Sequence, residues 1–79
     1  MPKEMSEKTK RVFSIFKMAI AGEQTAQAMY KEAAELCEDK PLKKILEGFV
    51  QDETRHEQEL VNRYNRLRSE YGDPAGDIK

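Results

Sequence analysis

Three residues of this sequence have side chains that could hold a metal ion together: Glu23, Glu53 and His56. Glu53 and His56 form a Glu-x-x-His motif, and residues three apart on a helix share a face, so both side chains can reach one site. Carboxylates with an imidazole suit iron or manganese better than metals that prefer thiolates. The motif therefore predicts a metal site, provided that Glu23 lies at the same level as Glu53 and His56.

The elements that must position these residues are predicted to be helices. Ala, Glu, Lys, Gln, Leu and Met dominate the sequence, and runs of β-branched residues are absent. A first helix is predicted from about Glu7 to Cys37, with Ser6 as its N-cap. Gly22 inside this helix costs about 1 kcal/mol relative to Ala. A close approach of another helix would explain why glycine is tolerated there.

A second helix is predicted after a short turn. Asp39 or Lys40 is its expected N-cap, and Pro41 fits in its first turn, where a missing N–H does no harm. The helical pattern then continues until glycine and proline recur near the C-terminus. We therefore predict one helical hairpin over residues 1–72 and a flexible C-terminal tail over residues 73–79.

Both helices carry apolar residues at steps of three and four, which is typical of a helix with one buried face. On the first helix these residues are Phe13, Phe16, Ile20, Tyr30, Ala34 and Cys37, flanked by Ala19, Ala26 and Ala33. On the second they are Leu42, Ile45 or Leu46, Phe49, Leu60, Tyr64, Leu67 and Tyr71. A single hairpin leaves one flank of these stripes open to water. The predicted fold is therefore all-α, a two-helix antiparallel hairpin that dimerises into a four-helix bundle.

The hairpin brings the three polar residues to one level. Glu23 lies sixteen residues before Asp39, and Glu53 and His56 lie fourteen and seventeen residues after it. Each is thus about 24 Å from the turn at 1.5 Å per residue. Pairing two hairpins would gather four carboxylates and two imidazoles around a two-fold axis, and two divalent cations would balance the charge of the carboxylates.

Composition limits the remaining possibilities. The net charge of −1 argues against a nucleic-acid binder, which normally presents a basic surface. One cysteine, Cys37, cannot form an intramolecular disulfide, and with no evident signal peptide it favours a reducing, cytoplasmic setting. No apolar run is long enough to span a membrane. A chain of 79 residues therefore needs metal or oligomerisation for additional stability.

The stretches Gly22–Tyr30 and Asp52–Glu57 resemble one half of a rubrerythrin-type domain of the ferritin-like superfamily. The short chain is also similar to the two-helix encapsulated ferritins, whose subunits dimerise around a di-iron ferroxidase centre. This resemblance spans Phe13 to Leu67. It implies that Glu23, Glu53 and His56 are both the metal ligands and the catalytic residues. It further implies that the Tyr30 hydroxyl lies outside the ligand set and hydrogen-bonds a ligand carboxylate.

The resemblance implies a function together with its cofactor and partners. We expect two iron ions per dimer in a bridging site, with manganese as the alternative metal, and oxidation of Fe²⁺ by O₂ or peroxide. The alternatives are a rubrerythrin-like peroxide reductase that uses a separate electron donor, and a non-enzymatic helical dimerisation module. The expected partner is a second copy of the chain, in a homodimer or a higher homo-oligomer.

The sequence also departs from these families. One cysteine excludes the four-cysteine iron domain of rubrerythrins proper. Gly22 and Thr25 stand where encapsulated ferritins have acidic residues for metal entry, and no shell-targeting peptide is evident after Gly72, so residence inside an encapsulin shell stays open. Beside the predicted ligands, Glu57 is interpreted as solvated or as a metal-entry residue, and Gln27 as a ligand-orienting or a packing residue.

Overall fold

A computed structural model describes residues 5–71, which form two long helices joined by a short turn. Helix α1 spans Glu7–Leu36 and helix α2 spans Lys40–Tyr71. The predicted all-α helical hairpin is confirmed, and α1 ends one residue earlier than expected. The predicted tail over residues 73–79 lies outside the described residues. Among residues 5–71, neither helix is apolar over enough of its length to cross a membrane.

Local hydrogen bonds explain where the helices begin. The Ser6 hydroxyl accepts a hydrogen bond from the backbone N–H of Thr9 at 3.1 Å, as an N-cap should. At the start of α2, the Asp39 carboxylate accepts the N–H of Leu42 at 3.1 Å. Asp39 rather than Lys40 is therefore the N-cap, and Pro41 lies in the first turn, where its missing N–H leaves nothing unsatisfied.

Aromatic packing closes the end of the hairpin that lies away from the turn. Phe13, Ile20 and Tyr64 form the buried core there, and Tyr64 is fully buried. The rings of Phe13 and Tyr64 meet edge to face with centroids 5.4 Å apart. The ring of Phe16 also packs against Tyr64, with centroids 6.4 Å apart. Tyr71 also packs on Phe13. These edge-to-face contacts fix the two helices against each other at this end.

In the half of the hairpin nearer the turn, large apolar side chains are exposed to water. Of the two alternatives for one inward position, Leu46 is half-buried and takes it, whereas Ile45 is exposed. Leu42 and Phe49 are predicted to lie on the same inward stripe but are exposed. The expectation fails because a single facing helix covers only part of a wide apolar stripe. Ala34 is the one residue of this half of α1 that the described chain buries. Large side chains near the turn thus remain in contact with water.

One side of the hairpin carries a continuous apolar surface, which we call the apolar face. Its α1 residues alternate at steps of three and four, a spacing that keeps them on one side of a helix. On α2 it continues through exposed side chains near the turn. Met29 is 62% exposed and Leu36 is 74% exposed, so residues 5–71 leave these two side chains of the face largely uncovered. The face comprises Val12, Ile15, Ala19, Gly22, Ala26, Met29, Ala33 and Leu36 of α1 with Ile45 and Phe49 of α2.

The core predicts a position-dependent cost for deleting a phenyl ring. Phe13→Ala should lower the free energy of unfolding by about 3–5 kcal/mol, because it leaves a cavity in the buried cluster. The matched change Phe49→Ala should cost clearly less in the metal-free chain, since Phe49 is 43% exposed. Urea unfolding followed by circular dichroism measures both. Equal losses would contradict this placement of the core.

Candidate metal centre

Glu23 of α1 and Glu53 and His56 of α2 come together at the middle of the hairpin. Each offers one ligand atom, and these atoms all lie within 4.8 Å of one another. The prediction that the three residues occupy one level agrees with this arrangement. The two helices supply them by simple periodicity, because Glu53 and His56 are three residues apart on α2 and Glu23 faces them from α1.

The three groups face one another, but His56 forms no hydrogen bond with either carboxylate. Nδ1 of His56 lies 3.8 Å from Oε2 of Glu23 and 3.8 Å from Oε2 of Glu53, which is too long for a hydrogen bond. Oε2 of Glu23 is buried and has no hydrogen-bond partner among residues 5–71. Burying an oxygen acceptor without a partner is costly. A cation between these groups would supply the missing partner.

The three side chains of the cluster differ in their exposure to water. The Glu23 and Glu53 side chains are each 23% exposed, whereas the His56 side chain is 47% exposed. His56 follows Phe49 by seven residues, which is two helical turns, so both lie on the same side of α2. Phe49 belongs to the apolar face. The ligand cluster therefore opens onto the apolar face, where water or another chain could reach it.

Tyr30, whose hydroxyl is predicted to lie near the ligands, follows Glu23 by seven residues, which is about two turns along α1. Its ring packs against Phe49, with centroids 5.3 Å apart. Within residues 5–71, the Tyr30 hydroxyl makes no hydrogen bond to Glu23 or Glu53. Its role as a hydrogen-bond donor to a ligand carboxylate stays a prediction.

A polar network joins the helices on the side of the hairpin opposite the apolar face. The amides of Gln24 and Gln27 each donate a hydrogen bond to one oxygen of Glu57 at 2.7 Å. The Thr54 hydroxyl lies 3.0 Å from Oε1 of Gln27 and 2.8 Å from the backbone oxygen of Val50. The two amide donors, Gln27 first and then Gln24, lower the pKa of Glu57 below its usual value, and slight burial opposes them.

Sequence reasoning missed most of this network. Glu57 was interpreted as solvated or as a metal-entry residue, but both of its oxygens are engaged by α1. Gln24 and Thr54 were not singled out at all. A usable signal exists in the sequence, because Gln24, Thr54 and Glu57 each directly follow one of the three clustered residues. Asp52, also beside the motif, pairs with Arg55 on the surface at 3.3 Å.

The donor set fits a divalent transition metal. Two carboxylates and one imidazole are oxygen and nitrogen ligands of the kind that iron and manganese accept, and no thiolate is present in the cluster. Three side chains do not complete the coordination of such an ion.

A two-helix hairpin with a carboxylate on one helix and Glu-x-x-His on the other has the elements of a ferritin-like protein. The family model described as Rubrerythrin matches residues 14–78, which is most of the chain. The chain therefore belongs to the rubrerythrin family, whose members typically bind iron. No curated protein and no solved structure matches the chain.

The geometry predicts that Glu23→Gln stabilises the metal-free protein. This substitution removes one of two carboxylates whose oxygens lie within 4.8 Å, and it gives the buried position a group that bears no charge. The free energy of unfolding in the presence of a chelator should rise by about 1 kcal/mol. Denaturant unfolding measures the gain. Glu32→Gln, a change on the exposed side of α1, should leave stability unchanged and serves as the control.

Proposed function

We propose that this protein binds iron at Glu23, Glu53 and His56 and oxidises Fe²⁺ at a site shared by two copies of the chain. The observation that carries the proposal is the buried, unpartnered Oε2 of Glu23, in a cluster where one ligand atom from each of the three residues lies within 4.8 Å of the others. A purely structural polar layer would pair its buried oxygens with donors. Membership of the rubrerythrin family supports iron as the ion.

A second copy would complete both the coordination and the packing. The ligand cluster opens onto the apolar face, so a copy docked there would bring a second set of two carboxylates and one imidazole to the first. The same contact would cover the large exposed side chains near the turn. Gly22 lies on this face, and a Cβ built there meets nothing within 4 Å. Its missing side chain thus serves nothing inside one hairpin but would permit close helix approach.

The residues of the chain hold and balance the metal, and the ions themselves supply the redox chemistry. Four carboxylates from two copies would neutralise two Fe²⁺ ions, and the two imidazoles would complete a ligand set without added charge. Oxidation of two Fe²⁺ to two Fe³⁺ releases two electrons. O₂ takes them up with two protons to give hydrogen peroxide, or hydrogen peroxide takes them up with two protons to give water.

Metal titration tests the site directly. Anaerobic addition of Fe²⁺ should saturate at about one ion per chain, and admission of O₂ should then convert it to Fe³⁺, detected by its absorbance. Glu53→Ala combined with His56→Ala should abolish the saturable binding. The matched control is Glu59→Ala with Arg63→Ala, two exposed positions on α2 outside the cluster. Saturation that survives loss of Glu53 and His56 would refute the assignment.

Assembly should depend on the apolar face and on metal. Sedimentation velocity should show a dimer that Fe²⁺ stabilises by mass action, because the ion binds only where two chains meet. Gly22→Leu places a bulky side chain on the apolar face and should abolish the dimer while the helix persists. Ala28→Leu adds a leucine on the exposed opposite side of α1 and should dimerise normally. Equal dimerisation by both variants would contradict the proposed face.

Peroxide reduction is the second candidate, and the rubrerythrin family match favours it. The same ligands could serve it, but regeneration of Fe²⁺ would require an electron donor on another protein. The two candidate functions, Fe²⁺ oxidation and peroxide reduction, differ in the oxidant that the site prefers. Comparing the rates of Fe²⁺ oxidation by O₂ and by hydrogen peroxide at equal concentration separates them, since a peroxide reductase should react much faster with hydrogen peroxide.

A further inference from the structure

The polar network opposite the apolar face lies at the level of the three proposed ligands. Glu23, Glu53 and His56 are each followed directly by a member of the network, namely Gln24, Thr54 and Glu57. Neighbouring residues on a helix share a rigid stretch of backbone. A contact that fixes a network side chain therefore also fixes the Cα of the ligand beside it.

Apolar packing does little to hold the helices at this level. The buried aromatic cluster lies toward the far end, around Phe13 and Tyr64, and the next buried residue of α1 is Ala34 near the turn. Between Ile20 and Ala34, α1 buries none of its described side chains fully. The polar network therefore supplies contacts between α1 and α2 along a stretch where no α1 side chain is fully buried.

The two hydrogen bonds to Glu57 have only one workable direction. The ionised Glu57 carboxylate can only accept, so both glutamine amides must donate to it through Nε2. Oε1 of Gln27 is then left as an acceptor and faces the Thr54 hydroxyl, which also lies close to the Val50 carbonyl of its own helix. Gln24 and Gln27 thus reach across from α1 to one carboxylate on α2. These contacts are lost if one helix slides by a turn, which is about 5.4 Å.

We propose that Gln24, Gln27, Thr54 and Glu57 form a positioning network that sets the alignment of α1 against α2 beside the site. By doing so, it holds Glu23 close to Glu53 and His56 before any metal binds. The network leaves the apolar face free for a second chain, because it lies on the other side of the hairpin. It also keeps both Glu57 oxygens occupied, so this carboxylate does not compete as a ligand.

The proposal rests on metal binding at the three residues, and the test uses the full chain with Co²⁺ or Mn²⁺, which avoid oxidation. Gln24→Ala with Gln27→Ala should weaken Co²⁺ binding at least about tenfold, the lower end for groups that orient metal ligands. It should also alter the visible spectrum of bound Co²⁺. The matched control, Gln51→Ala with Gln58→Ala, removes two exposed glutamines of α2. Gln58 bonds only within its own helix, to Asn62 at 3.0 Å, and this control should leave both readouts unchanged.

A milder pair of variants covers the case in which the double glutamine variant unfolds. Thr54→Val has nearly the shape of threonine but no hydroxyl, and it should weaken binding, whereas Thr54→Ser keeps the hydroxyl and should restore it. Thermal unfolding of each metal-free variant measures its stability. An effect on helix alignment can then be told apart from a loss of stability. A variant that melts earlier but binds Co²⁺ as tightly, with an unchanged spectrum, would show a merely structural network and overturn the inference.

The outcomes distinguish this inference from the function on which it rests. If the unaltered chain binds neither ion, the proposed function fails and the inference fails with it. If the unaltered chain binds, and all network variants bind equally well, the metal site stands and the positioning role is refuted. Weaker binding in the network variants alone, with normal binding in the glutamine control and in Thr54→Ser, supports the positioning role.

Discussion

The central constraint in this structure is a carboxylate oxygen that is buried without a hydrogen-bond partner in the middle of an apolar stripe. Oε2 of Glu23 lies 3.8 Å from Nδ1 of His56, which is too far for a hydrogen bond, and one ligand atom from each of Glu23, Glu53 and His56 lies within 4.8 Å of the others, which is close enough for shared coordination. A fold of this size has little stability to lose. A cation held by the three groups, as proposed, would supply the partner that this oxygen lacks.

Much of the fold is predictable because local rules set it. The caps at Ser6 and Asp39 and the three-and-four spacing of apolar residues place both helices to within a residue. Antiparallel geometry then puts the three polar residues at one level. Periodicity did not predict how far the side chains near the turn are buried. Leu42, Ile45 and Phe49 are exposed there. Burial depends on how many helices face a stripe, and one hairpin supplies only one.

The candidate site was predictable for a similar reason, and its surroundings were not. The spacing of Glu23, Glu53 and His56 is a consequence of helix geometry, so the sequence contains it. The contacts of Glu57 depend on the rotamers of two long glutamine side chains reaching from the other helix. No periodic pattern encodes those rotamers. The same limit applies to Tyr30, whose ring turns toward Phe49 rather than toward the nearest ligand.

The two sides of the hairpin differ in the kind of contact that they can make. On one side, hydrogen bonds between α1 and α2 connect residues that directly follow Glu23, Glu53 and His56. On the other side, the apolar face surrounds the opening of the site and includes Gly22, whose Cβ position is vacant. This difference between the two sides is what the proposed two-chain metal site would require. In that proposal, the hydrogen-bonded side would hold the three ligands in place, and burial of the apolar face against a second copy would bring the other half of the ligand set to meet them.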